Sequence, residues 1–141
     1  MNKEIRLIQK YLINNNYKFY LITNSDIHLN ESPNSDQKDI NNLTGFDCSS
    51  GYLLILTDKI VFFTDSRYML AAKNFFPKSY NIYNIKNTSI PNYIKGLGNN
   101  FNGMVDPKLI SISEFLNLNK ILFDYKINIY FSKNDIFMKR Y

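Results

Sequence analysis

Cysteine occurs once in these 141 residues, histidine once and arginine three times. Cys48 cannot close a disulfide within the chain, and a lone thiol fits a reducing compartment. A zinc site draws on three or four convergent ligands. With no second histidine and a single stray cysteine, the sequence offers no such set. No apolar run approaches the roughly 18 residues of a membrane-spanning helix. The opening stretch, MNKEIRLIQKYLINNN, carries charges through its first ten positions and no small-residue cleavage site, so it does not read as a secretory signal. The expectation is a soluble cytoplasmic protein with no membrane partner.

What is present is enough for one ordinary domain. Hydrophobic residues make up 45% of the chain and aromatic residues 16%. They are spread along the whole length, so a packed core is feasible. The formal net charge is +5, but the basic residues are mostly lysines scattered among abundant asparagine, isoleucine, tyrosine and phenylalanine. That mixture is the trace of an AT-rich genome as much as of anionic partners. A nucleic-acid binder concentrates its arginines and lysines into a stripe or face. None is visible here, and no nucleic-acid partner is expected.

Hydrophobic periodicity predicts the elements. Ile5, Ile8, Leu12 and Ile13 recur at helical spacing within 2–15, and YKFYLIT (17–23) has the length of one strand. Residues 24–44 are polar, contain Pro33 and read as a long loop, the kind that in a compact domain is functional or disordered. YLLILTDKIVFFTD (52–65) is a hairpin of buried strands, and 66–76 switches to helical spacing before Pro77. A short strand is expected at 80–85 and a helix capped by Ser89 at 89–98. Another strand follows at 102–107, ending at Pro107. A helix at 111–126 opens on the capping box Ser111 and Glu114 and shows Phe115, Leu118 and Leu122 on one face. A last strand spans 127–131. Strands alternating with helices around a hairpin imply an α/β domain with a mixed sheet.

Three stretches could carry chemistry. SDIHLNES (25–32) holds His28 between Asp26 and Glu31, yet it lacks the further ligands of a metal site and the third group of a nucleophile–base set. Alternatively, Asp26 and Glu31 cap turns and His28 packs locally. In LTGFDCSSGYLLILTD (43–58), the small residues Gly45, Cys48, Ser49, Ser50 and Gly51 allow a tight bend or a close backbone approach before a buried strand. A phosphate loop fits poorly, because neither the spacing nor a following helix supports it. In FFTDSRYMLAA (62–72), Asp65 and Ser66 stand where they could cap a helix. Arg67 is an arginine kept in a lysine-biased chain. Either its planar fork is needed for recognition, or it makes a structural ion pair with Asp65 or Asp26.

Taken in order, these stretches resemble the N-terminal domain of the creatinase/aminopeptidase P/prolidase family, most of all the Xaa-Pro aminopeptidases. The shared residues are Ser25, Asp26, His28 and Glu31; Thr44, Gly45, Phe46, Ser49 and Gly51; Thr64, Asp65, Arg67 and Tyr68; and Val105, Asp106 and Pro107. The closing SKNDIFMKRY is loosely similar to the stretch that ends this domain in the family. Departures are Ser32 for Tyr, Cys48 for Gly, Ser50 for Ala and Ser66 for Gly. The change at Cys48 bears on how tight the bend is.

The resemblance implies a single three-layer α/β/α domain over residues 1–141, ribonuclease H-like, with a mixed sheet. It also implies that catalysis belongs to a separate C-terminal metallopeptidase domain. There two divalent metals, usually manganese, activate water against the bond before proline. The chain itself would then bind no catalytic metal and no cofactor, and would cleave nothing. Its partners would be the catalytic domain of the same protein, further subunits and proline-containing peptides. Substrate contact passes by resemblance to Arg67, with Asp26 and His28 orienting it or lining the cleft; their other reading is that they only fasten the loop. A free-standing binding or scaffold module is the alternative function.

Overall fold

The computed structural model describes residues 3–23, 39–48, 50–106 and 110–132. The chain order is α1 (Lys3–Asn14), β1 (Phe19–Thr23), α2 (Asp39–Thr44), β2 (Gly51–Leu56), β3 (Ile60–Thr64), α3 (Met69–Phe75), β4 (Asn81–Asn84), α4 (Ile90–Lys95), β5 (Phe101–Val105), α5 (Ile112–Phe123) and β6 (Ile127–Phe131). The strands form one six-stranded sheet in the order β4-β3-β2-β1-β5-β6. β2 pairs antiparallel with both β1 and β3, and the other pairs are parallel. The expected mixed α/β/α architecture is the one observed.

Strand alternation sorts the apolar side chains onto two faces. Tyr20, Ile22, Leu53, Ile55, Ile60 and Phe62 join Ile5, Ile8 and Leu12 of α1, Ile40 and Leu43 of α2 and Ala72 of α3 in one core. Phe19, Leu21, Leu54, Leu56, Val61 and Phe63 face the other way, against Ile90 and Ile94 of α4 and Leu118 and Leu122 of α5. Every residue of β1 and β3 is buried, as their near-continuous apolar runs require.

Local signals set several boundaries. Ser111 Oγ accepts from Glu114 N (3.0 Å) while Glu114 Oε1 accepts from Ser111 N (3.3 Å), completing the expected capping box. Ser89 Oγ caps α4 by accepting from Asn92 N. The β2–β3 hairpin closes with Leu56 N donating to Lys59 O at 2.9 Å.

The structure also corrects some expectations. Residues 39–44, read as loop, form α2: Ile40 and Leu43 reach the core, and Thr44 Oγ1 donates to Ile40 O. Residues 24–38 of that expected loop lie outside the described residues. Ile13 is 58% exposed, because it stands one residue past Leu12 and is turned about 100° from the buried line.

Candidate functional site

All strands except β2 run in one direction, so β1, β3, β4, β5 and β6 end at one edge of the sheet, where β2 begins. At this edge Thr64, which is buried, donates from Oγ1 to Ser50 O (2.9 Å) and ties the end of β3 to the entry of β2. Gly51 opens β2 under close approach. A Cβ placed there would stand 2.9 Å from both Cys48 Sγ and the Phe62 ring. Gly51 therefore does let backbone and core approach closely, with Cys48, which is buried, standing where the resemblance has glycine.

Beyond Thr64 the chain turns, with Tyr68 N donating to Asp65 O, before α3 starts at Met69. The expectation that Asp65 and Ser66 cap this helix is not met. Tyr68 occupies the cap position without a side-chain hydrogen bond. Asp65 is committed elsewhere: its Oδ1 accepts from Arg67 N (2.9 Å) and Nε (3.2 Å), and its Oδ2 accepts from Nη2 (2.8 Å). A two-pronged carboxylate contact of this kind fixes the guanidinium plane. Among the described residues this leaves the two Nη1 hydrogens and the second Nη2 hydrogen for a further acceptor. The Arg67 side chain is 67% exposed and lies over the Tyr68 ring, 5.1 Å from its centroid.

The electrostatics follow from this geometry. The hydrogen bond from Arg67 holds the Asp65 carboxyl below its ordinary 3.8, and the same bond raises the Arg67 guanidinium above its ordinary value. Both groups are thereby fixed in their charged forms at neutral pH.

Asn84, which no sequence argument singled out, braces this turn. Its Nδ2 donates to Ser66 Oγ (3.1 Å) and its Oδ1 accepts from Lys86 N (3.0 Å). An asparagine at a strand end making such a turn is the available signal. At the far side of the edge, Asp106 and Ser132 are buried just after β5 and β6, and Ser132 Oγ lies 3.2 Å from Tyr20 Oη.

Of the three residues expected at a substrate site, Arg67 is placed at this edge. Asp26 and His28, which follow Thr23 in the sequence, lie outside the described residues. Among the described residues no three His, Cys, Asp or Glu side chains converge as a metal would require. A shallow groove of about 420 Å³ beside α1, lined by Lys3, Arg6, Lys10 and Thr57 among others, lies toward the opposite edge and carries no carboxylate, histidine or cysteine. Among the described residues no helix is long and apolar enough to cross a membrane.

With its mixed six-stranded sheet, helices on both faces and the described motif residues Gly51, Thr64, Asp65 and Arg67 at one edge, the chain belongs to the creatinase/prolidase N-terminal domain family, whose model matches residues 5–129. Among solved structures it is similar to an X-prolyl aminopeptidase from Caenorhabditis elegans, described as a cytosolic enzyme with a di-nuclear active site (TM-score 0.82, 16% identity). That match takes in 97% of this chain but only 25% of the worm enzyme, so the chain spans about a quarter of that relative. It is also similar to the N-terminal domain of the cytoplasmic peptidase PepQ from Mycobacterium tuberculosis (TM-score 0.70, 17% identity, 96% of this chain and 97% of that one). The aminopeptidase P of Streptococcus thermophilus is similar too (TM-score 0.72, 18% identity, 99% and 97%). At these identities the likeness is one of fold. Comparison with curated protein sequences gives no match.

Proposed function

We propose that the chain is the non-catalytic N-terminal domain of a cytoplasmic Xaa-Pro aminopeptidase, an enzyme that removes the residue preceding proline from a peptide N-terminus. Hydrolysis would belong to a C-terminal domain of the same protein, where two divalent ions, manganese by family resemblance, supply the activated water. Residues 1–141 would contribute oligomer contacts and one wall of the substrate cleft. The observation that carries this reading is Arg67, exposed and held side-on by Asp65 at the edge where five strands end. A guanidinium fixed in this way can donate two parallel hydrogen bonds to a peptide carbonyl or carboxylate. Asp26 and His28 would join it from the segment after Thr23.

Charged hydrogen bonds of this type contribute about 1.5–3 kcal/mol. In the polypeptide that carries the catalytic domain, Arg67→Ala should therefore lower kcat/KM on tri- and longer peptides by roughly 10- to 100-fold. Arg67→Lys should recover only part of it, since lysine lacks the fork. Unchanged efficiency would refute the role of Arg67. The 141-residue chain alone, incubated with Xaa-Pro peptides and Mn²⁺, should show no turnover, and hydrolysis there would overturn the non-catalytic assignment.

A free-standing binding or scaffold module is the second reading. It is favoured by the completeness of the two cores, since residues on both faces of the sheet are buried by the chain's own helices. The reading frame beyond Tyr141 separates the two: a downstream metal-ligand domain supports the enzyme, and its absence supports the module.

A further inference from the structure

Between Asp65 and Arg67 stands Ser66, where the resemblance has glycine. Glycine is needed where the backbone is left-handed. The described residues other than glycine that have positive φ are Asn16, Asn100 and Lys126, so the position of Ser66 does not call for glycine's freedom. What serine adds is a hydroxyl, and Ser66 Oγ accepts from Asn84 Nδ2 at 3.1 Å. The amide of Asn84 is itself oriented, because its Oδ1 accepts from Lys86 N at 3.0 Å.

This contact matters because the fork is local. Asp65 and Arg67 are two residues apart, so their hydrogen bonds fix the guanidinium against the turn and not against the sheet. The ladder to β4 reaches the turn's first residue: Thr64 lies opposite Asn84, and Ile85 N donates to Thr64 O at 2.9 Å. Tyr68, packed against the core, holds the other end. Among the described residues, the Ser66–Asn84 bond is the side-chain hydrogen bond that ties the middle of the turn to another strand.

We infer that Ser66 and Asn84 are positioning residues for Arg67: their hydrogen bond sets the direction, relative to the sheet, in which the guanidinium's unspent donors face. Its consequence for cleavage rests on the substrate contact proposed for Arg67. Both partners are exposed, so water competes for each group and the bond adds little to global stability. Its effect falls on the local freedom of residues 65–67. A turn released from β4 swings with its fork intact, and a ligand must then bear the cost of stopping it. Losing the hydroxyl therefore loosens Arg67 without breaking its contact with Asp65.

Nitrogen-15 relaxation of the Arg67 Nε–H group in the 141-residue chain tests this. Its order parameter should be close to that of rigid backbone, about 0.85, and should fall below about 0.6 in Ser66→Ala and in Asn84→Ala. The double variant should fall no further than either single one, since both remove the same bond. Ser66→Thr, which keeps the hydroxyl, should retain the wild-type value. In Ser66→Ala the unfolding midpoint should match wild type and Asp65 should still titrate below 3.8, because the fork persists. An order parameter indifferent to Ser66→Ala overturns the inference, as do additive effects in the double variant, a failure of threonine to rescue, or an Asp65 that returns to 3.8. In the polypeptide that carries the catalytic domain, Ser66→Ala should lower kcat/KM on tripeptides by about three- to tenfold, the factor that one neutral hydrogen bond allows. In an Arg67→Ala background it should cost nothing more, and a further loss there also overturns the inference. If Arg67→Ala alone leaves cleavage unchanged, the substrate contact fails while the order parameter still decides the positioning, so the two proposals fail separately.

Discussion

Replacing Gly103 by alanine should be the most damaging single methyl addition in this chain. Gly103 sits in β5 opposite Phe19 of β1, and a Cβ built on it would lie 2.1 Å from Cε2 and Cζ of that ring and 2.6 Å from Cδ2. Ordinary van der Waals contact begins near 3.4 Å, so the ring edge must retreat by about 1.3 Å. It has nowhere to go: Phe19 is fully buried, edge-on to Phe101 with centroids 6.3 Å apart. Overpacking costs typically about 1–3 kcal/mol, and the fully buried ring puts this site at the upper end, near 3 kcal/mol. Domains of this size are stable by roughly 5–15 kcal/mol. With an unfolding entropy of about 0.3 kcal/mol/K for a chain of this length, the midpoint should fall by about 10 °C. Urea unfolding followed by circular dichroism gives the free energy, and Phe19→Leu completes a double-mutant cycle. The alanine penalty should shrink by about 1 kcal/mol or more beside the smaller side chain. A loss below about 0.5 kcal/mol, or strict additivity with Phe19→Leu, would show that the ring does not occupy the space over Gly103.

Ser111→Ala removes the reciprocal hydrogen bonds that open α5 and should cost about 1 kcal/mol in urea unfolding, while Ser111→Thr retains most of it. The Asp65 carboxyl should titrate below 3.8 by NMR and return toward that value in Arg67→Ala, because the hydrogen bond from Arg67 is the main cause of its lowering. A carboxyl depressed in the folded state stabilises above its unfolded pKa, and that contribution is lost as pH falls through the folded value. At so exposed a pair the effect on stability should be slight. Tyr52 runs the other way: burial, then the Glu114 charge, raises its phenol above 10. Its contribution is complete below pH 10 and is lost as pH climbs toward the folded value, so alkaline unfolding should set in above pH 10. Absorbance titration of Glu114→Gln should show Tyr52 ionising at lower pH than in the wild type.

Features written within a few residues of one another were legible in the sequence. The Ser111/Glu114 box, the Ser89 cap and the hairpin around Asp58 each rest on local contacts, and all appear where expected. α2 escaped because a six-residue helix shows only one apolar pair, Ile40 and Leu43, and the polar run before it masks the period. The start of α3 was misplaced through a competition that sequence does not rank. Asp65 can satisfy helix N–H groups or a nearby guanidinium, and the charge-assisted bonds to Arg67 won. Strand order and the seating of Phe19 over Gly103 depend on residues more than eighty positions apart, which no local pattern encodes. Of the residues at this edge, Arg67 stood out by its rarity. Asn84 did not: its turn to Lys86 N is local, but its partner Ser66 meets it only once β4 is laid beside β3.

The strand directions explain why the resemblance lay in scattered short motifs and not in one long one. Thr44–Cys48 precede β2, Thr64–Tyr68 follow β3 and Asp106 follows β5; β2 runs opposite to the others, so these described stretches flank one edge of the sheet, and residues 25–31 come after β1 in the sequence. In open α/β sheets the carboxyl edge is where ligands are met. What this edge presents among the described residues is fixed charge and not a proton-transfer pair. Asp65 is pushed down and Arg67 up, both away from neutrality, whereas a general acid or base works best with a pKa near the operating pH. Thr64 is tied to Ser50 and Ser66 to Asn84, so the turn bearing Arg67 is braced from both neighbouring strands. Rigid, permanently charged and outward-facing, the Arg67 guanidinium suits holding an acceptor group far better than transferring a proton to one.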